Sequence, residues 1–153
     1  MKVLLAVDGS PCSDAAINDV ASRPWPAGTT IRVLSAFEMP LPPTPEAWSL
    51  PPGYVEEIET AGRDNAKRIV SVAVEQLGEK AGVTIEGKYV VGSPKNVILE
   101  EAETWDADLI VLGSHGYSAW ERFLLGSVSQ GVVSHAKCSV EVARLSKAKK
   151  AVA

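Results

Sequence analysis

Residues 109–112 read Leu-Ile-Val-Leu, an unbroken apolar run that stops at Gly113. A strand apolar on both faces needs cover on both, the situation inside a parallel sheet layered with helices. Gly116 follows the break, and after nine further residues come Gly126 and Ser127, where a helical pattern begins. A strand that feeds a glycine-broken loop and then a helix start is how α/β chains build phosphate sites. Glycines let backbone N–H groups approach an anion, and the first helical turn presents unpaired donors with a favourable dipole.

The rest of the chain repeats this grammar. Residues 3–7 form a continuous apolar run, read as a buried strand, which ends in Asp8-Gly9-Ser10-Pro11. Ser10 suits an N-cap and Pro11 the first helical position, where a missing N–H costs nothing. The helix continues through Ala15, Ala16 and Val20 and stops before Pro24. Residues 29–37 read as the second strand. Residues 39–52 hold too many prolines for helix or sheet and form a loop with Trp48 and Leu50 as apolar anchors; such a loop is often a lid or an interaction surface.

Apolar residues from Val55 to Leu77 recur at three- and four-residue spacing, which predicts a long amphipathic helix ending near Gly78 and Gly82. In the third strand, residues 84–91, Thr84, Glu86 and Lys88 alternate with apolar neighbours. That pattern predicts one exposed face and an edge position. Ser93-Pro94 repeats the Ser-Pro start before a helix through Val97, Ile98, Ala102 and Trp105. Ser127-Val128-Ser129-Gln130 fits a capping box, with Ser127 as N-cap. That helix ends near residues 135–137, and residues 138–145 form the fifth strand.

Strict β-α alternation implies a parallel sheet with helices on both faces and right-handed crossovers. Ligands of such sheets lie beyond the carboxyl ends of the strands, where strand order reverses. The turns carrying Asp8 and residues 113–116 both lie at such ends. If the first and fourth strands are neighbours, the two turns face each other across one crevice.

Composition narrows the partners. The chain has 153 residues, 46% hydrophobic and 22% charged, which fits one globular domain. A net charge of -4 argues against nucleic acid as a partner. The basic run Lys147, Lys149 and Lys150 reads as a solvated tail. No apolar run approaches the roughly 18 residues of a membrane span, and the apolar start reaches Asp8 too soon for a signal peptide. A cytoplasmic protein is expected, with Cys12 and Cys138 as free thiols. His115 and His135 form no ligand cluster with them, so no structural metal is expected.

The spacing Gly113-x2-Gly116-x9-Gly126-Ser127 resembles the nucleotide signature of the ATP-binding branch of the universal stress protein family. The opening VLLAVDGSPCSDAAI, the stretch GSPKNVILEEAETWDADLIVLGSHG and the closing LLGSVSQGVVSHAKCSVEVAR resemble that family's corresponding strands and helices, so the likeness spans nearly the whole domain. The resemblance implies an α/β fold of the Rossmann-like adenine nucleotide alpha-hydrolase type. Its open five-stranded parallel sheet has order 3-2-1-4-5 and spans residues 1–146, with 147–153 as the tail. It implies a homodimer paired through the fifth strands. It also implies ATP as ligand (AMP or ADP as variants), with Mg²⁺ alongside the phosphates. Carried over by position, Ala6 and Val7 would line the base, and Asp8 would contact the ribose or its vicinity. Ala36 would offer its backbone to adenine, and Leu112 and Gly113 would bracket the ribose. Gly116, Gly126, Ser127, Val128 and Ser129 would hold the phosphates. The fifth strand departs from the family's usual Cys-Pro start with Cys138-Ser139-Val140-Glu141. Glu141 facing its dimer mate would be unfavourable unless the carboxylate turns away or meets a cation.

Other roles compete for the same residues. Asp8 also suits a turn, and Ser127 a plain cap. Arg122 could reach phosphates or simply face solvent. Cys12 lies where a thiolate is favoured but also where an inert cysteine packs. Trp105 and Trp120 read as packing residues. His115 lacks a visible nucleophile or orienting acid, so no catalytic residue is assigned. The expected function is an ATP-binding regulatory or stress-response dimer with little or no turnover, whose protein partner the sequence does not identify. A slow ATPase or autophosphorylating protein using Asp8 or His115, and a dimeric interaction module with a vestigial site, are the alternatives. A phosphohydrolase of the haloacid dehalogenase kind is nearly excluded, because Ala6 stands where its nucleophilic aspartate would be. No lysine of the GxxxxGK[ST] type is present.

Overall fold

A computed structural model describes residues 1–39, 50–116 and 125–145. Its elements are β1 (Lys2–Ala6), α1 (Pro11–Ser22), β2 (Thr29–Phe37), α2 (Tyr54–Leu77), β3 (Val83–Val91), α3 (Pro94–Thr104), β4 (Leu109–Gly113), α4 (Ser127–His135) and β5 (Ser139–Ala143). They form one five-stranded sheet in the order β3-β2-β1-β4-β5, with all neighbours parallel. Residues 40–49 (with Trp48), Trp120, Arg122 and the tail lysines lie outside the described residues, and so do the expectations placed on them. No helix among the described residues is long and apolar enough to cross a membrane.

The apolar runs of β1 and β4 are buried on both faces because two helical layers cover them. Val3, Leu5 and Val111 pack with Ala16, Ile17 and Val20 of α1 and Val70, Ala73 and Leu77 of α2. Leu4, Ala6, Ile110 and Leu112 pack with Ile98 and Ala102 of α3 and Val132 of α4. α1 starts as its sequence dictates: the Ser10 hydroxyl accepts from the Ser13 N–H at 3.3 Å, and Pro11 follows. α2 sits close on the sheet at Gly87, where a Cβ would lie 2.5 Å from Val70 Cγ1.

β3 is an edge strand, as its alternation predicts. Its polar face is partly exposed, as expected, and also carries an ion-pair layer. Arg32 of β2 bonds Glu86 and Glu101, each at 2.6 Å, and Lys88 bonds Glu101 at 2.6 Å. The Arg32 guanidinium also lies 4.0 Å from the centre of the Trp105 ring, so Trp105 packs against a cation. Burial works against the Glu101 charge, but hydrogen bonds from Lys88 and Arg32 outweigh it and hold this carboxyl below its usual range.

Glu141 meets a cation. Arg23, just past the end of α1, reaches both of its carboxylate oxygens and also bonds Asp19 at 3.0 Å. Those hydrogen bonds hold the Glu141 carboxyl low against the opposing effect of partial burial.

Candidate functional site

The register of the central strands builds the floor of a site. Ala6 of β1 lies beside Leu34 of β2 and Leu112 of β4, in one row at the carboxyl end of the sheet. Just beyond it the β1–α1 turn is tied down on itself. The Asp8 N–H donates to Ser13 Oγ at 3.2 Å, and the Ser10 N–H donates to Asp8 Oδ1 at 2.9 Å. The turn also holds the neighbouring loop, because the Ser10 hydroxyl donates to the His115 carbonyl at 3.3 Å.

The loop after β4 is closed at its neck. The Gly126 N–H donates to the Ser114 carbonyl at 2.8 Å, and the Ser129 hydroxyl donates to the Gly113 carbonyl at 2.7 Å. Gly113, Gly116 and Gly126 all avoid the left-handed backbone region, so they are glycines for space rather than for conformation. A Cβ on Gly113 would lie 2.6 Å from the Cys12 carbonyl carbon, so this glycine lets the start of α1 approach β4. That packing demand exists whether or not the residue also meets a ligand. A Cβ on Gly116 would lie 2.9 Å from Asp8 Oδ2, and one on Gly126 would lie 3.3 Å from His115 Cα and the Ser114 carbonyl oxygen.

The capping box does not form. Gly126 occupies the N-cap position with φ −60° and ψ 157°, Ser127 is the first helical residue, and no side chain caps the helix. Glycine is itself an acceptable N-cap, so the start falls one residue earlier than the serine suggests. The first turn of α4 is therefore left without a side-chain acceptor where Ser127, Val128 and Ser129 border a cavity.

That cavity has a volume of about 460 Å³. Every site residue picked from the sequence lines it: Ala6, Val7, Asp8, Ala36, Leu112, Gly113, Gly116, Gly126, Ser127, Val128 and Ser129. Ser13, Leu34, Pro94, Ile98 and His115 complete the lining. Ala6, Leu34, Ala36, Ile98 and Leu112 make an apolar slot, and the α4 start makes a donor-rich rim. The combination suits a flat ring joined to an anion. Asp8 is the carboxylate of the lining, and no group of three His, Cys, Asp or Glu gathers into a metal cluster among the described residues. The His115 Nδ1 pairs with Ser114 Oγ at 3.0 Å, and that hydroxyl lies 3.6 Å from the buried Cys12 sulfur. Cys138 is also a free thiol, and burial pushes its pKa up.

A family description, the universal stress protein family, matches residues 1–144. The chain belongs to the universal stress protein family. Universal stress protein Rv2005c of Mycobacterium tuberculosis is 36% identical over 146 residues, covering 92% of this chain and 46% of that one. This universal stress protein thus spans about half the length of that relative. The universal stress protein UspA of Lactobacillus plantarum has the same fold, with TM-score 0.72, 26% identity and coverage of 94% and 97% of the two chains. A universal stress protein solved in complex with cAMP matches with TM-score 0.64, 25% identity and coverage of 95% and 98%.

In this universal stress protein, Leu34, Pro94, Ile98 and Ser13 join the lining without a sequence signal of their own. Leu34 and Ile98 look like ordinary core residues, and Pro94 and Ser13 like ordinary first-turn residues. They border the cavity because α1 and α3 begin beside it and β2 ends there.

Proposed function

We propose that this universal stress protein holds an adenine nucleotide, with ATP as the ligand and little or no turnover. The observation that carries the reading is the uncapped start of α4 at one end of an apolar-walled cavity. A phosphate there would take the place of the missing cap, and the first-turn dipole favours its charge. Ala6, Val7 and the Ala36 backbone would meet adenine, Asp8, Leu112 and Gly113 the ribose, and Gly116, Gly126, Ser127, Val128 and Ser129 the phosphates. The relative solved with cAMP supports adenine as the base.

Mg²⁺ fits this donor set as a companion of the phosphates. Such an ion keeps most of its waters and takes few protein ligands, and Asp8 supplies one carboxylate. Asp8 Oδ1 already accepts from Ser10, which leaves Oδ2 toward Gly116. The same reading takes residues 1–146 as the nucleotide-binding domain of a cytoplasmic homodimer paired through β5. Arg23 supports that pairing by neutralising Glu141 within each copy.

Heat release of the bound ligand from purified protein, followed by chromatography, tests the reading. ATP in the supernatant supports it. ADP or AMP in its place points to turnover. Empty protein that shows no thermal shift on adding ATP overturns it.

A further inference from the structure

The sheet has a second open edge whose sequence fits itself. We propose that β3 docks antiparallel against β3 of a second copy of this chain, with the two-fold axis at Gly87. Among the described residues, β3 pairs with β2 on one side and with no strand on the other. The Gly92 N–H donates to the Phe37 carbonyl at 2.9 Å, which fixes the orientation of the strand. Successive residues turn their backbone groups to opposite edges, so Glu86 and Lys88 turn theirs to β2, and Ile85, Gly87 and Tyr89 turn theirs outward. That is a row of donors and acceptors of the kind another strand completes.

An antiparallel pairing centred on Gly87 sets opposite charges against each other and an aromatic against a β-branched residue. Ile85 faces Tyr89, Thr84 faces Val90, and Glu86 faces Lys88 of the second copy. The charged pair has capacity to spare. Arg32 engages Glu86 through Oε1, leaving Oε2 open. Lys88 gives a hydrogen bond to Glu101, and an ammonium carries three donors. Both side chains remain nearly half exposed, at 41% and 47%. Pairing would thus join two internal ion pairs into one run from Arg32 through Glu86 to Lys88 and Glu101 of the second copy. Tyr89, 40% exposed, would be covered by Ile85 of the second copy. Gly87 keeps the axis free of side chains. The inference does not depend on the nucleotide.

Sedimentation velocity of the full chain tests it. Lys88→Glu alone sets a second carboxylate against Glu86 across the axis, and Glu86→Lys alone sets two ammonium groups against each other. An equimolar mixture of the two variants restores opposite charges at both positions. The expected result is an assembly in the wild type whose mass falls at least twofold in each variant and returns in the mixture. Each variant also weakens an internal ion pair, so circular dichroism checks that it is folded. Tyr89→Pro, which removes an outward N–H that β2 does not use, gives the same mass loss without touching those pairs. Unchanged mass in the folded charge variants and in Tyr89→Pro, or a mixture that behaves as the sum of its parts, overturns the proposal.

Discussion

α1 and α4 both begin at the carboxyl end of the sheet, yet their first turns are finished differently. α1 is closed from within: Ser10 caps it, Asp8 holds Ser10, and Pro11 removes a donor that would need a partner. α4 starts on Gly126 with no side-chain cap, and its first residues border the cavity. A helix start normally finds partners for its N–H groups in side chains, water or a ligand. The contrast fits the proposed nucleotide site: the first turn of α1 is finished by the fold itself, and that of α4 is left for a ligand to finish.

Glycine substitutions give the widest separation. Gly126→Val crowds the phosphate approach at the start of α4. A Cβ alone would meet His115 Cα and the Ser114 carbonyl oxygen at 3.3 Å, and that backbone must give by a few tenths of an ångström, so circular dichroism checks that the variant is folded. ATP affinity should fall at least ~100-fold, about 2.7 kcal/mol, by isothermal titration. Gly113→Ala should act the other way. Its Cβ would meet the Cys12 backbone at 2.6 Å, and overpacking of this kind costs about 1–3 kcal/mol of stability, read from urea midpoints.

The two serines sharpen the same contrast at smaller cost. Ser10→Ala should lose about 1 kcal/mol of stability, the usual worth of an N-cap. Ser127→Ala should leave stability within about 0.5 kcal/mol, as exposed positions do. It should still weaken ATP binding about tenfold, ~1.4 kcal/mol. Equal effects of both changes on stability would erase the distinction between the two helix starts.

Acid adds a control from the far side of α3. Glu101 is held below its ordinary value of 4.5, so its contribution to stability is present above that value. The contribution is lost as pH falls through the lower folded-state pKa. Glu101→Gln should lower stability at neutral pH and flatten this part of the acid limb in urea titrations. The smallest effect belongs to Arg23→Ala. Its partly exposed pair with Glu141 is worth up to about 1 kcal/mol, measurable as a small shift of the urea midpoint.

Much of this was legible in the sequence, because the strongest signals are local. The apolar runs of β1 and β4, the Ser10-Pro11 start and the bounds of β2 follow from patterning and capping chemistry alone. The α4 start was misplaced by one residue because glycine and serine are both good N-caps, and only the backbone angles of Gly126 decide between them. Gly113 carries a packing role that depends on Cys12, far away in sequence, and no local pattern announces it. The exposed face of β3 was legible from its alternation, but its ion pairs were not, because Arg32 and Glu101 come from other elements. Leu34 and Ile98 read as core, which they are; that they also wall a cavity depends on how α3 and α4 sit on the sheet.

The central claim is that the start of α4 takes phosphate. Parallel isothermal titrations of the wild type with ATP and with adenosine test it most directly. The account predicts that ATP binds at least ~10-fold tighter than adenosine, ~1.4 kcal/mol, and that Gly126→Val removes that margin. Equal affinity for ATP and adenosine in the wild type would contradict it.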